Sequence, residues 1–327
     1  MRLPRSIVGV ALVALLAACG ETFGPTARPL LPGPLADSLG TLTSLVQTET
    51  FLSFRVLGPL SAVPGSSPTA PIFPDSMLRR IFHWDAGTHQ YASAPQDTMG
   101  GPASGTRFLL YTADTTAGRP IEPPQQLGTA DLLDVSVPDT TRLHVLATGG
   151  NPIVVVDYTI RGRFAPESLS AVFDGCLNEA SARTLSVCLT GTVTQRPQSA
   201  DTIVNVSGTG SVADRQLTYT VGIQLGASQI VQAMDIYVDE PELGETVRIV
   251  GTLAVQGSTP TASIGVTVNG LPFATISGQG TLTIRGPNNL PLSEAEHALL
   301  IVMFELPGRL LDTGRALARP GQRNLGG

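Results

Sequence analysis

The densest group of residues that could do chemistry is a short stretch around two histidines, His83, Trp84, Asp85 and His89. Imidazole and carboxylate groups are common zinc ligands, so the stretch is a weak candidate for a metal site, or for a carbohydrate site beside the tryptophan. The same residues also predict a hairpin turn built on Asp85 and a following glycine, with Trp84 anchoring the core. We favour the turn, because ligands from a single turn rarely complete the coordination of a metal.

Other polar groups indicate structural roles. His144 and His297 each stand alone, in a predicted strand and a predicted helix. An acidic patch surrounds a predicted hairpin loop; its members are Asp235, Asp239, Glu240, Glu242 and Glu245. A calcium site would need alternating acidic ligands followed by a glycine, and that spacing is missing, so a solvated acidic loop is favoured.

Motifs of known catalytic loops are missing from the sequence. We find no G-x-S-x-G, H-E-x-x-H, phosphate-binding loop or dinucleotide fingerprint. A Ser-His-Asp triad assembled from distant positions stays open, with His83, His89 or His144 as its histidine. The sequence therefore predicts no catalytic residue and no cofactor, and an extracytoplasmic hydrolase is the least favoured alternative.

The first eighteen residues are typical of a targeting segment that is removed from the mature protein. Arg2 and Arg5 precede an apolar run that ends Leu16-Ala17-Ala18-Cys19. This ending resembles the lipobox of bacterial lipoprotein signal peptides. The resemblance implies that Cys19 becomes the mature N-terminus and carries acyl chains that hold the protein on a membrane. Gly20 follows, where an aspartate tends to retain such proteins at the inner membrane, so the resemblance implies a cell-envelope protein of the outer membrane.

Two cysteines are left after Cys19, namely Cys176 and Cys188. Thiols outside the cytoplasm usually pair, and the spacing of ordinary zinc or redox motifs is missing. Counting by twos along the predicted strands puts both cysteines on the polar side of the sheet. We therefore predict a cross-strand disulfide.

The charge balance excludes one class of partner. The formal net charge is −6, and it becomes −8 once Arg2 and Arg5 leave with the targeting segment. Nucleic acid is a polyanion whose binding needs a basic surface, so no nucleic-acid partner is predicted. Charged residues are only 14% of the chain, so its surface must be built largely from Thr, Ser, Gln and Asn, which suits β-structure.

Apolar and polar residues alternate along most of the chain after Leu143. The clearest run places Leu217, Tyr219, Val221 and Ile223 at every second position. Alternation over successive segments with short turns predicts antiparallel strands with one buried face. Before that region, residues 80–92 predict a hairpin and residues 107–112 a strand, and residues 113–140 predict loop with a short strand near Leu132.

Two helices are predicted at the ends of this sheet. Leucines at helical spacing predict a short amphipathic helix over residues 35–47. Ser293 and Glu296 form a capping box that opens a helix running to about Leu306. That helix is apolar nearly all round, so we expect it to be buried.

Together these features predict a mainly β fold: a large antiparallel meander, forming a strongly curved sheet or an incomplete barrel, with an N-terminal helix and a buried C-terminal helix. The architecture resembles the unclosed barrels of lipoprotein- and lipid-carrier proteins of the bacterial envelope. The predicted segments are a signal peptide (1–18), a lipidated Cys19 with a proline-rich linker (19–34), a part with helix, hairpin and loops (35–140), the sheet with the C-terminal helix (141–312) and a flexible tail (313–327). We expect residues 35–140 and 141–312 to form one domain.

That resemblance implies a non-catalytic protein that binds a hydrophobic small molecule or lipid between sheet and helix. The predicted lining residues are Tyr158, Leu217, Tyr219, Val221, Ile223, Met303 and Phe304. For these individual residues, a role as plain core is the favoured interpretation. The alternative function is a structural lipoprotein with a filled core that contacts another envelope protein.

Overall fold

The computed structural model of the chain is mainly β. The described residues are 47–60, 71–94, 100–138, 140–150, 153–165, 168–179, 185–196, 201–212, 215–225, 229–240, 245–300, 313–314 and 316–317. They divide into two compact units. Unit A comprises Ser44–Gln198 and Thr313–Gly327, and unit B comprises Met1–Thr43 and Ser199–Asp312. The predicted signal peptide, Cys19, the predicted linker and nearly all of the predicted helix 35–47 lie outside the described residues.

In unit A, residues 313–314 and 316–317, from the predicted tail, are helical and buried. The other described elements of this unit are one helix and ten strands. They are α1 (Glu49–Leu60), β1 (Ile81–Asp85), β2 (Gln90–Ala92), β3 (Gly105–Tyr111), β4 (Ala113–Asp114), β5 (Arg119–Pro120), β6 (Gln126–Asp134), β7 (Arg142–Gly149), β8 (Val154–Ala165), β9 (Ser168–Glu179) and β10 (Leu185–Arg196). The main sheet runs in the order β10-β9-β8-β7-β6-β3-β1-β2, and β4 pairs only with β5. All neighbours are antiparallel except β1 and β3, which are parallel.

Unit B contains seven described strands in chain order. They are β11 (Asp201–Val212), β12 (Arg215–Leu225), β13 (Gln229–Glu240), β14 (Glu245–Gln256), β15 (Thr259–Val268), β16 (Leu271–Gln279) and β17 (Thr281–Arg285). Each pairs antiparallel with the next. Ile236, Ile249, Val266 and Ala274 form one buried row across four strands, whereas Tyr237 on the opposite face is exposed. This alternation confirms the predicted antiparallel meander.

Residues 294–300 are helical and form α2. The Ser293 backbone N–H and Oγ–H both donate to Glu296 Oε2, over 2.7 and 2.8 Å, and the Glu296 N–H donates to Ser293 Oγ over 3.3 Å. These reciprocal bonds confirm the predicted capping box, because they satisfy the first orphan donors of the helix. Leu299 and Leu300 are buried. The rest of the predicted helix lies outside the described residues.

Helix α1 begins at Glu49, two residues after the end of the predicted helix 35–47. Thr48 accepts a hydrogen bond from the Phe51 N–H at its Oγ1 (3.4 Å), which is the N-cap arrangement. One face of α1 is buried, and it packs on β3 to β8. Phe51, Phe54 and Leu57 on that face are at most 1% exposed. The sequence analysis did not predict this helix.

The predicted loop over residues 113–140 is wrong in its centre. Residues 113–120 contain the β4–β5 hairpin, and the nine-residue strand β6 spans Gln126–Asp134 instead of a short piece near Leu132. Arg107 explains part of the error, because it lies directly opposite Asp131 and forms a two-pronged ion pair with it (2.6 and 2.7 Å). The Asp131 carboxylate favoured a loop in the sequence, but Arg107 on β3 supplies its hydrogen-bond partner within the sheet.

No helix among the described residues combines the length and the apolar character needed to cross a membrane.

Candidate functional site

The layer between α1 and the sheet of unit A contains the one predicted lining residue of this unit, Tyr158. It lies on β8 in a cross-strand row with Val145, Leu132 and Thr106, all nearly inaccessible to solvent. The ring of Phe54 on α1 meets the Tyr158 ring edge-on, with centroids 5.9 Å apart. We call this region the helix–sheet layer.

A glycine makes room for the tyrosine in this layer. Gly175 on β9 lies directly opposite Tyr158. A Cβ atom at Gly175 would collide with the Tyr158 backbone and Cβ, so the close approach of the two strands requires glycine here.

Four buried hydroxyl groups distinguish the helix–sheet layer from a plain apolar core. Thr50, Ser53, Thr106 and Tyr158 are at most 3% exposed, and none of their hydroxyl oxygens has a hydrogen-bond partner among the described residues. Thr50 and Ser53 are three residues apart on α1, so they are neighbours on one helix face. Phe54, which follows Thr50 by four residues, extends the same face to the Tyr158 ring.

Leaving such groups unpaired is energetically unfavourable. A buried hydroxyl without a partner costs about 1–3 kcal/mol, whereas the stability of a whole domain is only about 5–15 kcal/mol. Four such hydroxyls would offset a large part of that stability. These unpaired hydroxyls therefore mark the helix–sheet layer as the candidate site.

The electrostatics of the layer are those of a neutral site. Burial raises the pKa of Tyr158 well above its usual value, so its hydroxyl keeps its proton and can donate. The fully buried polar atoms without partners that the structure describes in unit A are the four hydroxyls, the Trp84 indole Nε1 and Arg142 Nε, with no carboxylate or imidazole among them.

The other predicted lining residues belong to unit B or lie outside the described residues. Leu217, Tyr219, Val221 and Ile223 lie at alternate positions of β12, in unit B. Met303 and Phe304 lie outside the described residues. Sequence reasoning missed Thr50, Ser53 and Thr106; their spacing on α1 would have been informative only once that helix was known.

The candidate metal stretch forms a hairpin turn. The N–H groups of Gly87 and Thr88 donate to Asp85 Oδ1 over 2.8 and 3.3 Å, and these bonds lower the pKa of Asp85. Trp84 is buried, as predicted for a core anchor. His83 lies on β1 opposite Ala92. Within the ranges that the structure describes, no three His, Cys, Asp or Glu side chains are grouped as metal ligands.

His89 at the end of this turn belongs to a small polar cluster. Its ring stacks near Trp84, with centroids 6.2 Å apart, and its backbone is left-handed (φ 51°). Arg119 Nη1 lies 2.8 Å and Glu122 Oε1 lies 3.3 Å from His89 Nε2. The arginine and the glutamate balance each other, so the cluster holds the turn against β5 and offers no unbalanced charge to a ligand.

His144 makes a contact that sequence reasoning missed. Its Nε2 lies 2.7 Å from Asp157 Oδ1, across the β7–β8 ladder on the polar face. Thr159 lies directly opposite His144 but does not hydrogen-bond to it in the described structure. The register of a β7–β8 hairpin would have predicted the contact between His144 and Asp157.

The disulfide prediction is confirmed. Cys176 on β9 and Cys188 on β10 lie directly opposite each other, with Cα atoms 4.0 Å apart, and their sulfur atoms are bonded. On the same face, the Thr190 hydroxyl donates to Asp174 (2.9 Å), so the bridge lies on the polar side as predicted.

The acidic patch lies partly in strands. Asp235 is inside β13, where it accepts two hydrogen bonds from the Arg248 guanidinium (3.0 and 2.8 Å). Glu240 and Glu245 are paired at the end of the β13–β14 ladder. Asp235 is therefore neutralised across the sheet and does not belong to an acidic loop.

Comparisons with protein-family models, curated proteins and solved structures find no match to this chain.

Proposed function

We propose that the protein is a lipid-anchored, non-catalytic component of the bacterial envelope that binds a hydrophobic small molecule or lipid in the helix–sheet layer. The observation that carries this proposal is the set of four buried hydroxyls without partners inside an otherwise apolar layer. An amphiphile would supply both the apolar chain that such a layer favours and the oxygen atoms that its hydroxyls require.

The proposal includes a finer description of the fold. We propose that the sheet is strongly curved or forms an incomplete barrel, with the C-terminal helix against its inner face. Support comes from the buried Leu299 and Leu300 of α2 and from the one-sided burial of β13 to β16. In unit B, the lining would be formed by the alternating β12 residues together with Met303 and Phe304.

Anchoring and location are proposed from the first twenty residues. Acyl chains on Cys19 would hold the protein in the outer membrane, since several chains together give stable attachment where one is marginal. Replacing Cys19 by serine should move the protein from the detergent-rich to the aqueous phase in detergent phase separation. Unchanged partition would refute lipidation.

A second candidate function is a structural lipoprotein that contacts another envelope protein. The edge-on contact between Phe54 and Tyr158 favours it, because a ring of α1 already covers part of the tyrosine. In that case, the layer would be a filled core.

Native mass spectrometry separates the two functions. The processed full chain, taken from membranes in mild detergent, should retain a stoichiometric amphiphile that solvent extraction then releases. A chain that carries nothing, and takes up nothing after incubation with membrane lipid extract, would contradict ligand binding and favour the structural function.

A further inference from the structure

The chemical character of the helix–sheet layer restricts the ligand beyond its being hydrophobic. Its unpaired polar atoms are the hydroxyl oxygens of Thr50, Ser53, Thr106 and Tyr158. Each hydroxyl can donate one hydrogen bond and accept others, so the set suits carbonyl, ester, ether and hydroxyl oxygens equally well. None of the four groups carries a charge.

An ionised head group does not suit such a site. Moving a carboxylate, phosphate or ammonium group from water into an apolar layer is very unfavourable unless an opposite charge accompanies it. The fully buried, unpartnered polar atoms that the structure describes in unit A include no carboxylate or imidazole. The guanidinium nitrogen among them, Arg142 Nε, belongs to a residue three positions before Val145 on β7 and therefore on the opposite face of the sheet. The nearest residues along α1 that carry charge are Glu49, which is exposed, and Arg55, which is not among the buried residues.

The four hydroxyls belong to both sides of the layer, the sheet and the helix. Tyr158 projects from the sheet, and Thr50 and Ser53 belong to the helix face that continues to Phe54 and its contact with that tyrosine. A head group at this point would meet donors from both sides of the layer. Thr106 lies in the same cross-strand row as Tyr158 but three strands away, so it is placed to meet a second oxygen atom of a longer head group.

We infer that the helix–sheet layer selects a neutral amphiphile, one whose head carries ester, carbonyl or hydroxyl oxygens, over an ionised lipid with the same chain. This inference rests on the proposed ligand-binding function and specifies its ligand class. Tyr158 donates to a head-group oxygen, and Thr50 and Ser53 complete its hydrogen bonds from the helix side.

A matched pair of probes tests the inference. The processed full chain, delipidated and held in amphipol, is incubated with a monoacylglycerol and with the fatty acid of the same acyl chain, at an alkaline pH where the acid is ionised. Native mass spectrometry gives the bound fraction of each. We expect the monoacylglycerol to be bound at least about tenfold more tightly, which corresponds to about 1.4 kcal/mol.

Two variants assign the selectivity to the hydroxyls. Tyr158→Phe and Thr50→Val should each weaken monoacylglycerol binding about three- to tenfold, the contribution of one neutral hydrogen bond, and leave fatty-acid binding unchanged. Tyr91→Phe is the control, because the Tyr91 hydroxyl already donates to the Leu109 carbonyl oxygen (2.9 Å) and should not affect either probe.

The possible failures are distinguishable. Equal or tighter binding of the ionised fatty acid would overturn the neutral-ligand inference and leave the proposed function standing. The same holds if both variants retain full affinity. If neither probe nor a total lipid extract binds, the proposed function itself is wrong, and the inference falls with it.

Discussion

Replacing Tyr158 by phenylalanine removes a hydroxyl that has no hydrogen-bond partner among the described residues, while keeping the ring that packs edge-on against Phe54. In delipidated protein, the tyrosine bears the desolvation cost of a buried hydroxyl, about 1–3 kcal/mol. Removing one oxygen atom also leaves a small void and loses some dispersion contacts. We therefore expect Tyr158→Phe to raise the free energy of unfolding of ligand-free protein by about 1 kcal/mol.

The opposite sign is expected at a matched tyrosine of the same unit. The Tyr91 hydroxyl donates to the Leu109 carbonyl oxygen over 2.9 Å. Tyr91→Phe leaves that carbonyl without this donor and should lower the free energy of unfolding by about 1 kcal/mol. Both substitutions remove a hydroxyl oxygen from a partly or wholly buried ring. The difference between their changes in unfolding free energy therefore measures the effect of the Tyr91 hydrogen bond.

Urea unfolding measures both changes in the same unit, because the single tryptophan of the chain, Trp84, is buried in unit A. Its fluorescence reports the unfolding of that unit. Added monoacylglycerol should stabilise the natural chain more than Tyr158→Phe, since the stabilisation grows with affinity. A loss of 1 kcal/mol or more in ligand-free Tyr158→Phe would refute the reasoning, because it would show that the folded chain itself already satisfies this hydroxyl.

Three further predictions concern the disulfide of unit A and two polar contacts of unit B. Reduction, or replacement of Cys176 and Cys188 by serine, should lower the free energy of unfolding by up to about 3 kcal/mol, and alkylation without reductant should label neither residue. The Arg248 guanidinium lowers the pKa of Asp235, so the stabilisation is present above the ordinary carboxyl pKa and is lost as pH falls through the lowered one. Because the pair is largely exposed, Arg248→Met should lower the stability only slightly, and NMR titration should show the Asp235 pKa returning upward. Ser293→Ala should lower stability by about 1 kcal/mol in thermal unfolding through loss of the cap, whereas no change would show that α2 is held by packing alone.

Features set by local periodicity could be predicted from the sequence. Alternation predicted the meander of unit B, since apolar residues at every second position indicate β-strands with one buried face. The same counting placed Cys176 and Cys188 on one face. The capping box at Ser293 and Glu296 was predictable because both partners lie within one helical turn.

Features set by distant partners were not predictable. Strand β6 contains Asp131, and its stabilising partner, Arg107, lies on another strand. The parallel pairing of β1 with β3 depends on the path of the chain between these two strands, and a local sequence pattern does not determine that path. Helix α1 combines phenylalanines with glycine and proline at its end, and it is held by burial against the sheet more than by helix propensity.

The candidate site belongs to this second class, and its chemistry explains why. In the sequence, Thr50 and Ser53 read as polar residues that should face water. They become informative only when α1 packs its polar and apolar residues together against β8. A layer that served only as core would be equally well packed, and more stable, with valine, alanine and phenylalanine at these positions, since apolar groups of the same shape need no partner. Our proposal of a bound molecule rests on this cost, because such a molecule would give the buried hydroxyls the partners that they lack among the described residues.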